Sequence, residues 1–216
     1  MTLEPWSCQV QPGLVTPVQE AAQAAEQAGF RFEIASAFRS FERQLAIWNA
    51  KASGERPVLN DSGEPLDITR LSERELVWAI LRWSALPGTS RHHWGTELDV
   101  YDSSRFAPGY RLQLTVEETR DQGPCAEFHA WLGEYLRSPD NPGFFRPYAE
   151  DRGGVAPEPW HLSYAPLADP LAAKMTAEMV RPLLLSSDLS LKTTVLENLE
   201  EIIDRFVRVP ARVDTR

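Results

Sequence analysis

"SRHHWGTELDVYD", residues 90–102, ends in six residues that alternate as a strand does. In "ELDVYD" Leu98 and Val100 fall on one face, and Glu97, Asp99 and Tyr101 on the other. The apolar pair belongs to a core, so Asp99 projects from the opposite face of a rigid element. His92 lies in the loop just before, and Gly95 permits a tight reversal between the two. A histidine and a carboxylate brought together this way could ligate zinc. The plainer alternative makes His92 and His93 surface residues and Asp99 a turn cap. For one His–Asp pair alone, that alternative is the better one.

Outward from this stretch, the pattern is one of helices and short strands. "TPVQEAAQAAEQAG" (16–29) reads as a helix stopped at Gly29. "FRFEIAS" (30–36) alternates as a strand, with Phe30, Phe32 and Ile34 on one side. Residues 40–51 read as a helix capped by Ser40. Residues 52–70 are turn-rich, and Ser72 with Glu75 forms a capping-box pattern ahead of a helix to about Ser84. A helix is expected over 125–137, an irregular Pro/Gly-rich segment over 138–159 and a short strand at "WHLSY" (160–164). Asp169–Pro170 can open another helix, with proline in its first position. Leu191, Val195, Leu196, Leu199, Ile202, Ile203 and Phe206 sit at the spacing of one last helix, and "FVRVPARV" (206–213) is suited to an edge strand. This order predicts an α+β fold, a small antiparallel sheet flanked by helices, in one compact domain over 1–216.

Composition narrows the partners. The chain of 216 residues carries a net charge of −9, which repels polyanions and argues against nucleic acid as a ligand. No stretch approaches the roughly 20 apolar residues of a membrane span. "MTLEPWSCQVQPGLV" lacks a basic start followed by an apolar run, so a cytoplasmic protein is expected. Cys8 and Cys125 form no CxxC pattern and read as two free thiols.

A second stretch, "PEPWHLSY" (157–164), changes the weighing of the first. The chain has only four histidines, and His161 follows Glu158 by three residues. A catalytic zinc takes three protein ligands and leaves a position for water; His92, Asp99 and His161 would supply such a set. Glu158 would be left as general base. In a regular strand residues 158 and 161 point to opposite faces, so a bulge or bend must turn Glu158 back. Pro157 and Pro159 flank it and make regular pairing there unfavourable. Singly, Glu158 as a surface acid and His161 as a core histidine beside Trp160 are both reasonable; together they are less so.

"SRHHWGTELD" carries Ser90, His92, Gly95 and Asp99 in the pattern S-x-H-x-x-G-x-x-x-D, and "EPWH" matches E-x-W-H. With "SAFRSFERQ" (36–44), similar to S-x-Y-R-S-x-x-x-Q but with Phe38 for tyrosine, these motifs resemble the zinc D-alanyl-D-alanine carboxypeptidases of the VanY type. The related L,D-carboxypeptidases share the pattern. The resemblance covers roughly residues 30–165, with 166–216 as C-terminal helices and edge strand. It implies one catalytic zinc on His92, Asp99 and His161, with Glu158 as base. It places Arg39 near the reacting centre, and Gln44, Ser90 and Trp160 with the substrate-binding residues. Arg39 could grip a carboxylate through two hydrogen bonds or hold an oxyanion. His93 falls on a variable position and is not counted as a ligand. The family often has a small residue where Glu97 stands, and the resemblance gives that acid no role.

The resemblance further implies peptidoglycan stem peptides as substrate and D-alanine as product. A cytoplasmic enzyme could trim tetrapeptides returning for recycling, which favours L,D-carboxypeptidase activity over cleavage of D-Ala–D-Ala termini. The rivals are a zinc-containing peptide-binding module without catalysis, mildly favoured by Glu97 and opposed by Glu158, and a phage lysin, opposed by the acidic charge. Oligomeric state is not legible in the sequence.

Overall fold

The computed structural model describes residues 1–208 of the chain. In chain order the strands are β1 (Thr2–Leu3), β2 (Cys8–Gln9), β3 (Phe32–Ser36), β4 (Glu97–Asp102), β5 (Phe144–Phe145) and β6 (His161–Tyr164). The helices are α1 (Val15–Gln27), α2 (Phe41–Ala52), α3 (Glu73–Trp83), α4 (Ala126–Tyr135), α5 (Ala165–Ala172), α6 (Ala177–Ser186), α7 (Lys192–Glu197) and α8 (Leu199–Ile202). The expected α+β class with a small antiparallel sheet is what the chain adopts.

The described chain divides into two compact units. The first comprises residues 1–40, 91–149 and 157–171. Its sheet has the order β3-β4-β6-β5, with every pairing antiparallel. Leu98 and Val100 of β4, Leu162 of β6 and Phe32 of β3 face a core closed by Leu14, Val18, Ala21 and Ala25 and by Phe128, Leu132 and Tyr135 of α4. Removing these side chains from water supplies the main stabilisation of the unit. The helix over 15–27 stops as the sequence predicts: Gly29 takes a φ of +89°, which a residue with a Cβ adopts only under strain.

The second unit, residues 41–90, 150–156 and 172–216, is helical where described. Trp48, Val77, Ile80, Leu81, Leu184, Val195 and Ile202 are among the side chains of its core. Ser72 caps α3 through a complete capping box: its Oγ accepts from the Glu75 amide, and the Glu75 carboxylate accepts from the Ser72 amide at 2.8 Å. Both units are built from segments far apart in the sequence.

Three expectations need correction. Pro170 does not open a helix; it lies inside α5, which begins five residues earlier at Ala165, with Pro166 in its first turn where no amide is needed. The single last helix is broken: Asn198 leaves helical geometry between α7 and α8, its amide donating to the Thr194 carbonyl at 2.7 Å and its oxygen accepting from Arg74. Leu191, expected inside that helix, sits before α7 with a left-handed φ of 60°. Phe206 and Val207, expected to start an edge strand, close the described chain in a π-helical turn. Arg208 follows in extended backbone, and residues 209–213 of that expected strand lie outside the described residues.

Candidate metal centre

The register of β4 and β6 builds the centre. Asp99 stands directly opposite His161, and Glu97 opposite Ser163. Because side chains alternate, all four project from the face turned away from Leu98, Val100 and Leu162. His92 reaches the same place from the 3₁₀ turn Arg91–Trp94, just before the strand. Its Nε2 lies 3.3 Å from Asp99 Oδ2, and its ring centroid 4.8 Å from that of His161. His92, Asp99 and His161 are all buried, and each offers one ligand atom within 4.8 Å of the others.

Ring nitrogens of both imidazoles face acceptors. His92 Nδ1 lies 2.7 Å from the Ala37 carbonyl, so it carries the proton and leaves the Nε2 lone pair for a ligand. His161 Nε2 lies 3.0 Å from Glu97 Oε2, while its Nδ1 faces Asp99 Oδ1 at 3.5 Å and Glu158 Oε2 at 3.1 Å. His161 thus turns Nδ1, not Nε2, towards the other donors.

The bend expected at Glu158 is present. The His161 amide donates to the Glu158 carbonyl at 3.1 Å, closing a turn immediately before β6, and the Glu158 amide donates to the Tyr148 carbonyl at 2.9 Å. The turn returns the Glu158 carboxylate to the metal side of His161. Arg146 anchors the same turn from behind, donating from Nε to the Pro159 carbonyl at 2.7 Å and from Nη2 to the His129 carbonyl at 3.2 Å. Tyr148, half-buried, packs edge-on against the His161 ring with centroids 5.1 Å apart.

The charges suit a cation. Burial by itself would raise the Asp99 carboxyl, but His92, then His161 and Arg39, hold it down to about 2. Burial would likewise raise Glu97, and Arg91, His161 and Ser163 bring it to about 2. Burial lowers His161, yet Glu158, Glu97 and Asp99 around it push it up to about 10. Asp99 and Glu97 are thus held as carboxylates against a protonated His161 imidazole, a positive charge that a divalent ion can replace. Asp99 Oδ1 is buried and accepts no hydrogen bond, which leaves a lone pair aimed into the cluster. Two imidazole nitrogens and a carboxylate are a zinc donor set, and on these observations the residues fit the metal.

The remaining residues singled out in the sequence fall as follows. Arg39 is half-buried beside the centre; its amide donates to the His92 carbonyl at 3.1 Å and its Nη2 to Ser36 Oγ at 3.1 Å. His93 is not in the His92–Asp99–His161 cluster; its Nδ1 lies 2.6 Å from the Arg39 carbonyl and braces the backbone that carries Arg39. Trp160 is only 5% exposed, and its carbonyl accepts from the Val100 amide. Gln44 and Ser90, both buried, lie in the second unit, where the Gln44 amide donates to the Ala85 carbonyl at 2.7 Å.

Sequence reasoning did not find Arg91, Ser163, Tyr148 or Arg146. Ser163 was open to discovery, since period-two alternation places it on the face of His161. Arg91 was not, because it occupies a position in the motif that any residue can fill.

His92, Asp99 and His161 thus meet at one face of a small antiparallel sheet as a set that could hold one metal ion, with Glu158 beside them. The chain belongs to the VanY D-alanyl-D-alanine carboxypeptidase family, whose model matches residues 7–167. An uncharacterized protein of Haemophilus influenzae is 47% identical over 77 residues, 36% of this chain and 53% of that protein, so the chain spans about half the length of this relative. A second uncharacterized protein of Haemophilus influenzae is 30% identical over 124 residues, 56% of this chain and 92% of the relative. The vancomycin-resistance D,D-pentapeptidase VanY of the VanB-type cassette, solved as a mutant in complex with Zn(II), shares the fold with a TM-score of 0.53 and 21% identity. That match covers 90% of this chain and 88% of the pentapeptidase.

The imidazole that Arg146 faces gives a test of how this turn is held. Burial first, and then the Arg146 charge, hold His129 down to about 3. Its folded value lies below its unfolded one, so above pH 6.5 both states are neutral and His129 has no effect on the pH dependence. As pH falls from about 6.5 towards 3, the unfolded chain takes up a proton that the folded chain refuses. Stability then drops by up to about 1.4 kcal/mol per pH unit from this group. Urea unfolding of the parent and His129→Gln between pH 7 and 4 is expected to show a shallower acid loss in the variant; equal slopes would contradict the assignment.

Proposed function

We propose that the chain is a zinc-dependent carboxypeptidase that releases C-terminal D-alanine from peptidoglycan stem peptides, with residues 1–216 serving as one domain. The observation that carries this is the convergence of His92, Asp99 and His161 with Glu158 beside them. Bound zinc acts as a Lewis acid and lowers the pKa of a water it holds to near neutrality.

The protein's own residues do the rest. Glu158 keeps 16% of its side chain accessible, against 4% for His161, so it is the acid that incoming water and peptide can reach. It accepts the proton of the attacking water and returns it to the departing amine of D-alanine. Arg39 sits where its charge is felt at Asp99, and its planar guanidinium suits either the terminal carboxylate of the peptide or the oxyanion that forms during attack. The family resemblance counts Gln44, Ser90 and Trp160 among the substrate-binding residues, and each is buried.

Two bonds end in D-alanine. The family description is that of a D-alanyl-D-alanine carboxypeptidase, which favours pentapeptide ends. The sequence favours L,D-cleavage of tetrapeptides in cell-wall recycling, a reading that depends on a cytoplasmic location; among the described residues no helix is long and apolar enough to cross a membrane. Mass spectrometry of defined tri-, tetra- and pentapeptide muropeptides, after incubation with zinc-loaded protein, decides. Loss of one alanine from the pentapeptide alone identifies the D,D-activity, and loss from the tetrapeptide the L,D-activity. No released alanine from any of them leaves the binding-module alternative standing.

A further inference from the structure

We propose that Glu97 is a positioning residue of the metal centre: its carboxylate, fixed by Arg91 and Ser163, holds the Nε2–H of His161 and so presents Nδ1 to the ion. Glu97 is fully buried, yet every partner its position requires is present. Oε1 accepts from Ser163 Oγ at 2.8 Å and from Thr96 Oγ1 at 3.0 Å. Oε2 accepts from Arg91 Nε at 3.3 Å and faces His161 Nε2 at 3.0 Å. Arg91 also donates from Nη2 to Ser163 Oγ at 2.7 Å, and its guanidinium lies 4.7 Å over the Trp94 ring. The ionised carboxylate has no proton to give. The imidazole therefore donates from Nε2 to Glu97, which holds its ring plane; when an ion replaces the proton on Nδ1, the same bond keeps the Nε2–H tautomer.

The register explains why the acid is at this position. Glu97 and Asp99 are two residues apart on one face of β4, opposite Ser163 and His161. The His161 ring therefore lies between two carboxylates, one behind Nε2 and one before Nδ1. Such an outer carboxylate orients the ligand and raises its basicity. Arg91 supplies the opposite charge that a buried acid needs, so the network behind His161 is closed before any metal arrives.

The inference rests on the metal-binding reading of the site and not on the peptidase reading. Its test is the zinc dissociation constant, by chelator competition, together with the imidazole N–H resonances of zinc-loaded, histidine-labelled protein. The parent is expected to show a far-downfield His161 Nε2–H. In Glu97→Gln the zinc dissociation constant is expected to rise about 10- to 100-fold, with that resonance moving upfield. Arg91→Gln/Glu97→Gln, which removes both buried charges together, carries the same expectation if the single variant does not fold. A folded variant with zinc affinity within about twofold of the parent and an unmoved resonance overturns the proposal. So does a parent in which Nδ1 carries the proton. A parent that binds no zinc at all removes the metal reading instead, so the two failures are distinct.

Discussion

Glu158→Ala is expected to bind zinc as the parent does and to release D-alanine about 100-fold or more slowly, the usual loss for a general base. The two halves of this expectation come from different observations. Zinc binding is retained because His92, Asp99 and His161 supply the donor set without Glu158. Turnover falls because Glu158 is the acid beside His161 Nδ1 that solvent can reach. Its removal leaves, among the described residues of the cluster, only Asp99 and Glu97, which are fixed as acceptors and held ionised near 2. Zinc content and peptide turnover of the same preparation check both halves. Full activity would remove Glu158 from the mechanism, and loss of zinc would make it a ligand.

His161→Ala is expected to weaken zinc binding by more than the roughly 10- to 100-fold that follows loss of an outer-shell partner, because it deletes a donor outright. Three carboxylates surround that imidazole, at 3.0 Å (Glu97), 3.1 Å (Glu158) and 3.5 Å (Asp99). With the ring gone they face one another with no cation between them, and the protein lacking zinc is destabilised as well. Zinc titration of the folded variant reads the first effect and urea unfolding the second. Unchanged zinc content would show that the ligand set is wrong.

Much of the centre was legible in the sequence, for an identifiable reason. The alternation in "ELDVYD" sends Leu98 and Val100 to one face and Asp99 to the other whatever the strand pairs with. The two prolines around Glu158 foretell the turn that brings it back. What the sequence withheld depends on register. That Glu97 meets His161 follows only from Asp99 pairing with His161 and Glu97 with Ser163, a fact of the β4–β6 ladder. The role of Arg91, in the turn before β4, shows only once the fold brings its side chain to Glu97 and Ser163. Helical spacing misled at the C-terminus, because apolar periodicity passes through Asn198 unbroken while the Asn198 side chain competes for backbone partners. Pro170 misled in the other direction: proline is common at helix starts, but the start of α5 is Ala165, with Pro166 beside it.

Anomalous diffraction at the zinc edge, from crystals grown with zinc, tests the central claim most directly. One strong peak is expected among His92 Nε2, Asp99 and His161 Nδ1. A peak elsewhere, or none at full zinc occupancy of the buffer, contradicts it.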